Sequence, residues 1–122
     1  MRWLWGFDSE YLYMEYKMKQ SHVTALAWLD KLTRSQKAIT VQHNGKDFYW
    51  VHYDAFSRDC MILDIKKKMV ANLFKYCCDA GVLEHHTATF IPNHIPGKYS
   101  MYRFKDGVLD KIKPPYKPRN HQ

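Results

Sequence analysis

The stretch 37–53, KAITVQHNGKDFYWVHY, leaves the chain little choice. Ile39 and Val41 alternate with Thr40 and Gln42 before Asn44-Gly45. After it, Phe48, Trp50 and His52 alternate with Tyr49, Val51 and Tyr53. A period of two marks strands with two unlike faces. Asn-Gly supplies both positive-φ positions of a type I′ turn, whose twist matches that of the strands it joins. The segment is predicted to be a β-hairpin, and the rest of the chain must be arranged around it.

Helical patterns lie on both sides. Upstream, Ser21 reads as an N-cap, followed by Val23, Leu26, Ala27, Leu29 and Leu32 at near-helical spacing with Trp28 widening the stripe. A helix is expected from about His22 to Arg34. Downstream, YDAFSRD reads as a short helix with Asp54 at its start, CMIL as a tight connection, and Asp64 as the cap of a longer helix. In that helix Val70, Leu73, Phe74 and Cys77 form an i, i+3, i+4, i+7 apolar face. Lys68, Asn72, Lys75 and Asp79 repeat the spacing on the polar side, and Gly81 is a favoured exit. VLEHHTATF and KYSMYRF read as strands, joined by a proline- and glycine-bearing loop, IPNHIPG. At the N-terminus, Tyr11, Tyr13, Glu15 and Lys17 alternate with Leu12, Met14, Tyr16 and Met18, which predicts a strand. Residues 1–104 form the expected domain, and 105–122, with three prolines and four lysines, a basic tail or linker.

In order, these elements make an α+β fold: a short helix, tight connection and longer helix form a helix-turn-helix, and the strand pair after it forms a two-stranded wing. The expected fold is a winged helix-turn-helix with three main helices and an additional β-hairpin. Charge agrees with such a use. The 122-residue chain carries a formal net charge of +7 with a pI near 9.3, which favours a polyanion, nucleic acid first and anionic membrane second. Lys66, Lys67 and Lys68 open the longer helix, where the helix dipole already places positive charge. Phosphates in a DNA major groove would offset that cost, since the N-terminal part of the second helix of this motif enters the groove.

The arrangement resembles the N-terminal winged-helix domains of phage and plasmid replication initiators, including the replisome-organiser group. The likeness runs from about Tyr11 to Phe104. It is carried by SHVTALAWLDKLTR as the first helix and NGKDFYWVHYDAF as a hairpin leading into the next. KKKMVANLFKYCCDAGVLE follows as the recognition helix with its glycine-hydrophobic exit, and PGKYSMYRF as the end of the wing. Asp64 stands where the family has a Ser or Thr cap, and Cys77 where it has a core leucine. The resemblance implies a sequence-specific double-stranded DNA-binding domain that recognises origin repeats of a phage, plasmid or satellite element. It implies Lys66, Lys67, Lys68, Asn72 and Lys75 as the DNA-facing set. Asn72 is matched to the N6 and N7 edge of adenine, and the lysines to phosphates. Arg58 on the short helix would add a phosphate contact, and Lys98 or Arg103 on the wing would reach the backbone or the minor groove, with His85, His86 and His94 close by. Met69 is expected to pack rather than touch a thymine methyl. A homodimer is implied, as is recruitment of replisome proteins through a further C-terminal region. Alternatives are a transcriptional regulator on the same fold, the DNA-targeting module of a nuclease, and a protein-protein module.

Other readings carry less. Cys77, Cys78, His85 and His86 are zinc-ligand types, but they lack ligand spacing, and Cys77 belongs to the apolar stripe. No metal or cofactor is expected. Asp54, Asp59 and Asp64 suggest caps rather than a nuclease centre, and no HExxH, GxSxG or phosphate-loop pattern occurs, so an enzyme is not expected. Trp3, Trp5 and Phe7, or the hairpin around Asn44, are candidate surfaces for self-association. No segment approaches the roughly 20 apolar residues that span a bilayer. Three cysteines, two of them adjacent, fit a reducing cytoplasm, that of a bacterial host for a mobile element.

Overall fold

The computed structural model describes residues 3–113. The chain opens with a small hairpin, β1 (Trp3–Leu4) and β2 (Phe7–Asp8), and passes directly into helix α1 (Ser9–Tyr16). The stretch predicted as a strand is therefore helical over most of its length. Asp8 decides this: its Oδ1 accepts the Tyr11 backbone N–H at 3.0 Å, which caps the helix. Burial does not follow the alternation: of its apolar members Leu12 and Met18 are buried, while Met14 faces solvent. Lys17, in the left-handed region at φ 58°, ends α1.

Helix α2 (Gln20–Thr33) starts earlier than expected. Ser21 lies inside its first turn, and the His22 Nδ1 instead accepts the Lys19 backbone N–H at 3.0 Å. The hairpin β3 (Thr40–His43) and β4 (Lys46–Trp50) forms as the sequence dictates, with His43 opposite Lys46. Asn44 and Gly45 sit at φ 52° and 75° between the two strands. Then come α3 (Tyr53–Asp59), a single 3-10 turn (Met61–Leu63), α4 (Lys67–Asp79), β5 (Leu83–Ala88), β6 (Tyr99–Phe104) and α5 (Val108–Ile112). Asp64 does not cap α4. It closes the 3-10 turn at φ 48°, and Lys66 occupies the N-cap position with no side-chain hydrogen bond.

The strands β3, β4, β6 and β5 lie side by side in that order in one antiparallel sheet. Helices α2 and α3 both pack on α4, and α4 packs on β5. One sheet face joins this layer: Leu26, Leu29, Phe56, Val70, Phe74, Cys77, Leu83 and Tyr102 are buried together. The Tyr53 and Tyr102 hydroxyls meet at 2.7 Å inside it. On the opposite face, Phe48, Ala88, Ile91 and Met101 make a second, smaller core. Ile91 comes from the β5–β6 connection, which is folded back over the sheet and closed by the Gly97 N–H donating to the Thr89 carbonyl at 3.0 Å.

The segment read as a tail is not one over 105–113. Helix α5 packs on α1, and Ile112 is fully buried in the main core. Val108, Leu109 and Ile112 have helical spacing, but over a single turn beside lysines and prolines that is a weak signal, and three-dimensional neighbours reveal their place. The remainder of the expected tail, 114–122, lies outside the described residues.

Candidate nucleic-acid interface

Helix α4 is built as a two-faced element. Val70, Phe74 and Cys77 are fully buried, with Leu73 half-buried at the margin. Burial pushes the Cys77 thiol far up and that of Cys78 to about 11, so neither is thiolate near neutral pH. On the other side Lys68, Asn72 and Lys75 are exposed in one stripe. Lys75 holds Asp79 one turn on at 2.9 Å, an exposed pair worth at most a few tenths of a kcal/mol and easily exchanged for a phosphate.

The N-terminal end of α4 is open. Lys66, Lys67 and Lys68 are all exposed, no acidic side chain lies in the first turn, and no side chain caps it. The helix's unpaired N–H groups and three ammonium groups therefore share one end, an anion-attracting combination. Met69, expected to pack, is 55% exposed. Just ahead, Met61 and Ile62 are 74% and 95% exposed. Sequence reading missed these two, because apolar residues in a short connection read as inward-facing. The connection Cys60–Lys66 is also longer than the three- or four-residue turn of compact helix-turn-helix units.

Of the outlying cations, Arg58 on α3 and Lys98 at the start of β6 are exposed. Arg103 is not available in the same way. Its side chain is only 14% exposed and its guanidinium is held between the carboxylates of Glu84 and Asp106. These two carboxylates raise its pKa against the opposing effect of burial. Lys46 reaches Asp106 at 2.7 Å, so Arg103 belongs to a network tying the hairpin tip to the end of β6. Asp106 lies three residues on and is a local partner, whereas Glu84 and Lys46 lie at separations that the sequence does not reveal.

The histidines near the strand pair are also engaged within the sheet. His86 stacks on His43 with ring centroids 3.9 Å apart and planes 14° from parallel. His85 lies against Tyr102 at 4.8 Å, and His94 meets the Trp50 ring edge-on at 5.0 Å. Among the described residues no group of three or more His, Cys, Asp or Glu side chains is placed to hold a metal ion. Asp59, one of the aspartates weighed as a metal ligand, accepts the Trp28 indole N–H at 2.9 Å. Phe7, weighed as a docking residue, is fully buried, whereas Trp3 and Trp5 are 47% and 55% exposed. No described helix is long and apolar enough to cross a membrane.

No family model, curated protein or solved structure matches this chain. The interface therefore rests on its own geometry.

Proposed function

We propose that this chain is a sequence-specific double-stranded DNA-binding domain on the winged-helix plan. In this reading α3 and α4 are the helix-turn-helix, β5 and β6 the wing, and β4 the strand that joins the wing to the helices. The observation that carries it is the free, uncapped start of α4. There Lys66, Lys67 and Lys68 run into an outward stripe of Lys68, Asn72 and Lys75. An end that repels itself in isolation is stabilised when phosphates face it. Arg58 and Lys98 remain phosphate contacts, and Arg103 becomes a buttress of the wing.

The biological role proposed is recognition of origin repeats in a phage, plasmid or satellite element, acting by occupancy and recruitment rather than by chemistry. The domain works as a homodimer in a cytoplasmic setting. Salt dependence tests the binding. A complex made through several phosphates weakens with salt on a log-log slope of about −0.9 per contact, and absence of duplex binding at ~50 mM salt overturns the reading. Mapping the bound sites in the parent genome tests the role. Repeats in one short cluster support origin recognition, while single sites ahead of scattered genes support a transcriptional regulator on the same fold. The exposed Met61 and Ile62 beside the lysines favour a second reading, a protein-protein module, which salt-insensitive partner binding without duplex affinity would support.

A further inference from the structure

The other face of α2, away from α4, carries a cavity of about 420 Å³. Thr24, Ala27, Trp28, Lys31 and Arg34 line it at helical spacing, together with Trp5 and Lys113 from outside the helix. We infer that this cavity binds a single unpaired nucleotide, its base between the indoles of Trp5 and Trp28 and its phosphate at Lys31 and Arg34. None of these residues lies on α4, so the inference does not rest on the duplex reading.

Trp5 is the first reason. It sits at φ 52°, followed by Gly6 at φ 84°, in the two-residue turn between β1 and β2. A bulky side chain rarely adopts that conformation. The two-residue turn between β3 and β4 has nearly the same φ values and is made by Asn44-Gly45, the pair that a type I′ turn prefers. An indole thus stands where the backbone favours asparagine, and it is held out at 55% exposure over the cavity. Strain of this kind collects at sites of use. Gly6 is favoured beside it by its φ of 84°, a conformation strained for any L side chain.

Trp28 is the second reason. Its N–H is bound by Asp59 at 2.9 Å and its ring stands edge-on to Phe56 at 5.4 Å, so its plane is set before any ligand arrives. Two indoles, one strained outward and one fixed, suit a planar ring, because stacking tolerates any base.

Charge is the third. The lining holds three cations, Lys31, Arg34 and Lys113, against one carboxylate, Asp30. Asp30 is buried and already bound by Arg34 at 3.1 Å and by Lys113. The remaining field is positive, Lys31 and much of Arg34 are exposed, and the ligand that complements this rim carries an anion. An aromatic ring and an anion in a space of this size describe a nucleoside monophosphate, free or as one residue of an unpaired strand.

The test is a titration of the full chain, ¹⁵N-labelled at the indoles of its four tryptophans. Thymidine monophosphate, a short oligothymidylate and inorganic phosphate are added in separate arms. The Trp5 and Trp28 resonances should shift with a nucleotide while Trp50 stays in place. Trp5→Asn, which suits the turn, should keep the fold by circular dichroism and weaken binding at least about tenfold, the order expected from losing one stacking partner. Lys31→Glu should do the same through the phosphate. Binding of the monophosphate assigns a free nucleotide, and binding of the oligomer alone assigns a strand. The inference fails if neither moves the two indoles, if phosphate alone reproduces the shifts, or if Trp5→Asn binds like the parent chain.

Discussion

Asn72 and Lys67 sit within two turns of each other on α4, both exposed, yet the chemistry of their side chains separates what each can do. An amide offers a donor and an acceptor in a fixed plane and can match one base edge; an ammonium is a point charge that serves any phosphate. Asn72→Ala should relax choice at one base position and cost about 1–3 kcal/mol on the preferred site. Lys67→Ala should weaken all duplexes alike and reduce the salt slope by about one contact. Competition binding against a panel of single-base variants separates the two; equal discrimination by Asn72→Ala and the parent removes the base-reading role. Arg103 shows where residue type misleads. Its charge is no different from that of Arg58 in the sequence, but Glu84 and Asp106 engage it in the fold.

At the scale of the element, α4 combines a strong fold signal with a poor start. Its apolar face and its glycine exit were legible because both are local: the period of Val70, Phe74 and Cys77 and the positive φ of Gly81 at 85° lie within one segment. Its cap was not legible. Asp64 has the right chemistry, but it sits three residues ahead of the first helical residue and turns the chain at φ 48° instead. Lys66 therefore occupies a position where Asp or Ser would satisfy an unpaired N–H. Lys66→Asp should raise the unfolding free energy by about 0.5–2 kcal/mol in a denaturant titration and at the same time weaken duplex binding. If stability rises with no loss of affinity, the start of α4 is not where DNA is met.

For the whole molecule, two consequences follow from how the elements close on one another. Ile112 is fully buried in the core that joins α1, α2 and α4, so α5 belongs to the domain. Ile112→Ala should cost about 2–5 kcal/mol by thermal or denaturant unfolding; a cost near zero would return 105–113 to the status of a tail. The second concerns pH. Burial lowers the pKa of His22, His85 and His86, aided by Lys19, His86 and His43 respectively. Their folded values lie below the ordinary 6.5, so the unfolded chain takes up more protons just beneath that pH. Stability is thus present above pH 6.5 and lost as pH falls through the folded values. Calorimetry between about pH 7.5 and 5 should show Tm dropping, and His86→Gln should flatten the drop.

The sequence by itself determined the central hairpin, the two-faced α4 with its glycine exit, and the strand pair that follows, because turn chemistry and periodicity act over a few neighbouring residues. Tertiary structure decided what short-range pattern cannot carry. Packing buried Leu12 and Met18 but left Met14 exposed, against the period of two in that stretch. Glu84, nineteen residues away on the neighbouring strand, joined the nearby Asp106 in engaging Arg103. Ile112, with Val108 and Leu109, drew α5 against the core, and Trp5 and Trp28 came to line one cavity. Each of these depends on which groups meet after the chain has folded, and burial and ion pairing are properties of that meeting.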